Sequence, residues 1–439
     1  MRPLVMLLVA CGPTTPEGDP AVGWDTLRYG DYIGAGVPKD VWFDLVPPTT
    51  SNILDREGDA AGVPSSFNLF TAPNGIDVVG GVTCAGCHVA QLRGEIIIGL
   101  GNHRSDYTEV DLSTFEIAGL AVENRYGEDS AEYDAFFPLL RGAEAISDHI
   151  VTPFIGVNTA FSMERAAAAN RDPQTGAWQD ELAFPIPDTI LASDVPPWWH
   201  LKKKTRLYYT GAGRGNHARL VSQVGLVAIE DAEHYLAIEE SMADLLAFAA
   251  SIEPPVFPAD IDSTLADQGA ALFTEHCEEC HGTYGDDWTY PERIEPLEDI
   301  GTDPTYALGF LEGGFTPWLQ ESFLAQGKGR AIFQPERGYV APPLDGVWAT
   351  APYLHNGSVP DVETLLSSTD RPTAWRRTFN SNDYDLTTMG WQWTPDEAGS
   401  GDVEVYDTTI TGFGNGGHTY GDVLTDSERA AVMEYLKTL

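Results

Sequence analysis

Basic residues are scarce: the 439-residue chain has 25 Lys and Arg against 66 Asp and Glu, a formal charge of −41. That balance excludes a nucleic-acid partner, because phosphates are met by lysine and arginine. It suits a solvated surface in a salty medium, and it would attract a small basic protein through long-range charge. Long apolar runs are also missing. No stretch approaches the ~18 apolar residues of a membrane span, so no transmembrane helix is expected. Cysteine is the third scarcity, with five residues in all. Glycine and proline, at 44 and 30 residues, are plentiful and predict helices joined by long turns. A hydrophobic content of 43% is that of a globular chain, and the length allows two or three domains.

The first residues read as an address. Met1 and Arg2 make a minimal charged start, and Leu4 to Ala10 is a short apolar run. Leu8-Val9-Ala10-Cys11 resembles the lipobox of bacterial lipoproteins, in which the cysteine is acylated after cleavage. Residues 1–10 are then a signal peptide, and residues 11–21 are a lipidated cysteine and flexible tether that includes Gly12-Pro13-Thr14-Thr15-Pro16. The expectation is a bacterial protein exported to the periplasm or cell surface, touching the membrane through its anchor alone.

Four cysteines remain. They form Cys84-Ala85-Gly86-Cys87-His88 and Cys277-Glu278-Glu279-Cys280-His281, two haem-attachment patterns. Two thioethers grip one edge of the porphyrin, and the adjacent histidine then reaches the iron from below. Two disulfides would leave the histidine after each pair unexplained. Zinc sites use closer pairs than these, and a thioredoxin-like motif needs a strand–helix context that is missing. The reading is two covalent haem c groups, with His88 and His281 as proximal ligands.

Helical spacing precedes the second motif, from Leu265 to Phe273, with Asp262 and Ser263 as caps. Thr425-Asp426-Ser427-Glu428 reads as a capping box, followed by the apolar face Ala431, Val432, Tyr435 and Leu436. A helix from Met242 to Ser251 stops at Glu253-Pro254-Pro255, the best boundary in the chain. The predicted fold is mainly α, with two cytochrome c-like haem domains, residues 22–255 and 256–439, and long loops. A large insertion between His88 and Pro196 is expected to be helical at Met163 to Asn170 and otherwise loop. No repeat beyond the two motifs is visible.

Several segments resemble one superfamily: the bacterial di-haem cytochrome c peroxidases, their relatives that modify protein tryptophans, and the rubber oxygenases. Ala351-Pro352-Tyr353-Leu354-His355-Asn356-Gly357-Ser358-Val359 is the most specific match. Cys280-His281-Gly282-Thr283-Tyr284-Gly285, Ile300-Gly301-Thr302-Asp303-Pro304 and Gly417-His418-Thr419-Tyr420-Gly421 look more like the rubber-oxygenase branch. The resemblance implies His418 as sixth ligand of the second iron, with Met389 as the alternative, since Thr369 occupies the peroxidases' methionine position. It implies Tyr209, or else Trp198 or Trp199, as an aromatic bridge between the haems. Distal-pocket roles fall on His217, Arg219, Gln223 and Glu230, and His103 is a weaker candidate ligand for the first iron. His355 would pack near a haem propionate, His200 would be structural, and calcium would sit at Asp194, Thr350 and Pro352. The activity implied is a di-haem oxidoreductase that reduces peroxide or activates dioxygen at the first haem. Its electrons would come from a small basic cytochrome through the second haem. The alternatives are a haem dioxygenase cleaving an unsaturated polymer such as polyisoprene, and a cytochrome that only transfers electrons.

Overall fold

The computed structural model describes residues 18–439, so the Cys11 lipobox lies outside the described residues. Fifteen α-helices and several 3-10 turns carry the described chain, and the strands gather into small antiparallel sheets of two or three. No described helix is long and apolar enough to cross a membrane.

Two helix crossings of the same kind organise the molecule. The first joins α1 (Pro20–Tyr29) to α2 (Ala232–Ser251), and both begin on an aspartate cap, Asp19 and Asp231. The second joins α3 (Ser263–His276), capped by Asp262, to α4 (Asp426–Leu436), whose Thr425 and Glu428 form the expected capping box. A glycine sits at each point of closest approach. A Cβ on Gly23 would collide with the Asp244 carbonyl and the Phe248 side chain, and one on Gly269 with the Ala431 carbonyl and the Tyr435 side chain. The glycine is on the entering helix both times, and its partners lie four residues apart on the closing helix. This repeat is one of geometry, which explains why the sequence displayed none.

Gly269→Val is therefore expected to destabilise the protein by about 1–3 kcal/mol or more, as overpacking does. Gly23→Val should cost a similar amount. Urea unfolding of the two variants checks this.

Three parts of the insertion differ from expectation. Helices Ser113–Tyr126 and Ala131–Ser147 stand where loop was predicted. The first leaves Ile117 and Leu120 51% and 60% exposed, which blurs its apolar stripe, and the second carries Pro138 in its interior. A helix at Ala160–Ala169 matches the one expected from Met163. Helix α2 starts well before Met242, because Asp231 caps it and Tyr235, Ile238, Met242 and Leu245 continue one buried face.

The chain does pass from α2 to α3 through the Pro-rich strip, but the core ignores that boundary. Leu27, Phe136, Trp198 and Tyr235 pack in one cluster with Leu297, Tyr306, Phe310, Trp318 and Tyr339. Strand Gly213–Gly215 also pairs antiparallel with Ala331–Phe333. A second cluster, with Trp199, Phe273, Trp348, Tyr353 and Trp391, lies under the α3–α4 crossing.

Candidate functional site

Helix α3 delivers the chain to the second motif. Its last turn ends at His276, and the amides of Cys280 and His281 both donate to the Cys277 carbonyl, at 3.2 and 3.0 Å. Gly282, at φ +78°, ends the turn. His281 Nδ1 donates to the Pro342 carbonyl at 2.8 Å, which fixes the ring and leaves Nε2 for a metal. The His418 ring lies opposite, 6.2 Å away between centroids. Two imidazoles bound to opposite sides of one metal at ~2 Å each would place their centroids ~6 Å apart. Both histidines and both motif cysteines line a cavity of about 350 Å³. A haem c fits these residues.

The loop presenting His418 is unusual. Gly417 and His418 both have left-handed backbones, φ +71° and +45°. The His418 amide donates to the Ile300 carbonyl at 2.7 Å. Arg371 grips the loop from behind, donating to the carbonyls of Asn415, Gly417 and His418 at 2.8, 2.7 and 3.0 Å. Burial holds His418 down to about 3 and His281 below its ordinary value, so both rings are neutral, the form that binds metal. Met389 is fully buried in the core beneath the α3–α4 crossing and is absent from the cavity wall. It does not serve as the alternative ligand.

The first motif forms a short helix, Cys84–His88. The following loop is tied back to it, with the Gly99 amide on the His88 carbonyl and the Asn102 amide on the Cys87 carbonyl, both at 2.7 Å. The His88 ring faces the Pro196 carbonyl and stacks on Trp198 at 5.0 Å. Burial pushes it down to about 4. Its Nδ1 is buried without a hydrogen bond. Each proximal histidine thus lies near the carbonyl of a Pro-Pro pair, Pro196-Pro197 or Pro342-Pro343, and His281 alone is hydrogen-bonded to it. Those dipeptides were a readable signal that the sequence reading missed.

None of the four motif cysteines is paired in a disulfide. Among the described residues no three His, Cys, Asp or Glu gather as a metal cluster.

The expected distal residues scatter. Glu230 is exposed on the surface, its amide donating to His234 Nδ1, and so takes no place in a pocket. Arg219 is committed to Glu239 at 2.7 Å and to the Gln326 carbonyl at 3.0 Å. His217 Nε2 meets the Thr205 carbonyl at 3.1 Å. Gln223 is fully buried, donating to the Tyr208 hydroxyl and the Leu220 carbonyl, both at 2.9 Å, with its Oε1 unpartnered. His103 packs on Trp391, at 5.3 Å, and not on His88. His200 meets the Asp345 carbonyl at 2.9 Å, which Trp199 Nε1 also reaches.

Tyr209 lies in the wall of the second cavity, 6.3 Å from the rings of Tyr306 and His355. His355 stacks on Tyr339 at 4.1 Å, and burial holds it down to about 4. Tyr209 and Trp198 therefore flank different motifs. Asp194, Thr350 and Pro352 share the same cavity wall, and the Asp194 amide donates to the His355 carbonyl at 2.6 Å.

One residue escaped the sequence reading altogether. Glu164, on the Ala160–Ala169 helix, has a buried Oε2 with no partner. Burial pushes its carboxyl up to about 8, and Tyr208, Tyr235 and Tyr306 lie close enough to feel its charge. The neighbouring Arg165 gives its guanidinium to the Pro187 and Thr189 carbonyls instead. The only signal was a helix with alanines on every face, a mark of complete burial. In the folded chain this carboxyl stays protonated far above the ~4.3 of an unfolded glutamate. The stability it contributes is complete below the unfolded value and is lost as pH rises through about 8. Glu164→Gln cannot ionise. Its melting temperature is expected to hold between pH 7 and 9 while that of the wild type falls; equal slopes would refute this.

A family profile described as RoxA-like, cytochrome c-like matches residues 338–376. That segment contains Pro342, Asp345 and the Ala351–Val359 signature, so it forms much of the second cavity's wall. The match supports the rubber-oxygenase-like branch of di-haem cytochromes, and a cytochrome c-like domain implies covalently bound haem c. Two relatives come from Sinorhizobium fredii, both called uncharacterized proteins. One, y4iM, is 26% identical over 320 residues, 62% of this chain and 70% of its own length. The other, y4iJ, is 32% identical over 254 residues, 43% of this chain and 41% of its own length, so the chain spans less than half of it.

Proposed function

We propose that the chain is a di-haem c-type oxidoreductase with two unequal irons. The second, between His281 and His418, holds and passes electrons. The first, on His88, meets peroxide or dioxygen. The observation that carries this is the opposed pair of imidazoles across the second cavity, 6.2 Å between centroids, against a single imidazole backed by Trp198 at the first motif. When bound, the haems supply the one-electron chemistry; the protein supplies ligands, orientation and burial.

The chain's own residues then have definite tasks. Pro342 orients the His281 ring, Trp198 stacks on that of His88, and Arg371 holds the His418 loop. Tyr209, His355 and Tyr339 line one cavity wall, and Tyr306 packs behind them as a neighbouring ring. Glu164, protonated at neutral pH, can hold a proton deep in the first core. At the second motif Cys277 and Cys280 are half-buried, and the exposed Glu275 and Glu279 line the same cavity. That acidic rim suits a small basic electron donor. Export and lipidation at Cys11 belong to the same reading, and mass spectrometry of the mature N-terminus tests them.

The RoxA-like match at 338–376 favours a second reading, a dioxygenase cleaving an unsaturated polymer. A shared scaffold does not carry a shared substrate. Oxygen uptake with polyisoprene would establish the dioxygenase. Peroxide-dependent oxidation of a reduced cytochrome, without such uptake, would establish the peroxidase.

A further inference from the structure

Three buried acids answer to the backbone. Asp361 caps a helical turn through the Thr364 amide, Asp407 holds the Gly399 and Thr409 amides, and Glu434 takes the Asp262 amide. Glu295 is different. It is 5% exposed, and its polar partners are side chains: the Arg293 guanidinium and, at 3.4 Å, the Cys280 thiol. Glu295, Arg293 and Cys280 all line the cavity wall that His281 and His418 share.

The fold fixes this carboxylate in place. Strand Ile294–Pro296 pairs antiparallel with Gly338–Val340, and Glu295 lies opposite Tyr339. A Cβ on Gly338 would strike the Glu295 carbonyl, so the strands approach as closely as glycine permits. Pro342, which holds the His281 ring, follows just beyond that second strand. Arg293 lies at the rim, 41% exposed, and pairs also with Glu279, which is 85% exposed. Two carboxylates thus share one guanidinium, which leaves one negative charge over. Tyr420, edge-on to His418 at 5.3 Å, lies close enough to feel both Glu295 and Arg293.

We infer that Glu295 is a fixed carboxylate at the thioether edge of the second haem, and that its charge holds that haem at a low potential. Thioether formation joins the Cys280 sulfur to one carbon of a haem vinyl group and delivers the thiol hydrogen to the other. The sulfur then has no proton to donate, so Glu295 keeps its ion pair with Arg293 and its place against the porphyrin edge. A buried charge is screened little by water or salt, whereas Arg293 is exposed and shared. The local sum is negative, and it favours the oxidised iron, which carries one more positive charge. Glu295 touches no reacting atom and acts on the potential alone. It adds to the lowering that a second imidazole gives relative to a thioether.

This rests on the reading that the second motif holds a haem between His281 and His418, so a haem count and the low-spin EPR signal come first on each holoprotein. A wild type with fewer than two haems sinks that reading; two haems with unchanged potentials sink the Glu295 assignment alone. Redox titration at mildly alkaline pH, well above the ordinary carboxylate range, follows each haem separately in wild type, Glu295→Gln and Glu295→Asp. Glutamine keeps the shape and removes the charge, so the potential of the second haem is expected to rise while that of the first stays. Aspartate keeps the charge and should hold the potential near the wild-type value. Where glutamine does not sustain the fold, Arg293→Gln, at an exposed site, replaces it. Removing that cation should lower the same potential. An unmoved second haem, an equal shift of the first haem, or an aspartate variant displaced as far as the glutamine one would overturn the assignment.

Discussion

Replacing Cys277 and Cys280 together by serine should leave a protein with one covalent haem in place of two, read directly by a pyridine haemochrome count. Serine keeps the volume of each side chain but cannot form the thioether, and the two positions share one edge of a cavity that His281 and His418 also line. The reciprocal change, Cys84 and Cys87 to serine, should remove the other haem and spare this one. The loss is not only chemical. A ligand that binds the folded chain adds stability by mass action, so each double variant should melt below the parent. A protein that still carries two covalent haems after either change would contradict the assignment of the motifs.

Changing His418 to alanine has the second largest expected effect. The variant should lose the low-spin EPR signal of a bis-imidazole iron, and its reduced form should bind carbon monoxide at a second site. Methionine at the same position should restore a sixth ligand while raising the potential, since a thioether favours the reduced iron. Arg371→Gln is expected to give a milder version of the alanine result. That side chain never reaches the cavity; it acts by holding the Asn415, Gly417 and His418 carbonyls, at 2.8, 2.7 and 3.0 Å. A fully six-coordinate second iron in His418→Ala would mean that another group supplies the ligand.

How far the sequence could be read follows from which signals were local. Both motifs, the capping box at Thr425 and the cap at Asp262 are written in adjacent residues, and the fold uses the two caps as read. His418 was singled out by the resemblance of Gly417-His418-Thr419-Tyr420-Gly421 to the rubber-oxygenase branch, whereas the Arg371 clamp depends on contacts some 47 residues apart. Glu230 misled because the resemblance offered it as an acid–base group, while the chain turns it to the surface before α2 begins. Glu164 lies on a separate helix, and only tertiary packing buries it against tyrosines from distant segments. The two glycine crossings were illegible for the same reason. A lone glycine in a helix looks like a weak residue until the second helix is laid across it.

The central claim is that the two irons differ, one closed by His418 and the other open. The carbon monoxide difference spectrum of the fully reduced wild-type protein, with both haems counted in the same sample, tests it most directly. The account predicts that one haem of the two binds carbon monoxide. Binding at neither would make the protein an electron carrier without a reactive site, and binding at both would show that His418 does not close the second iron.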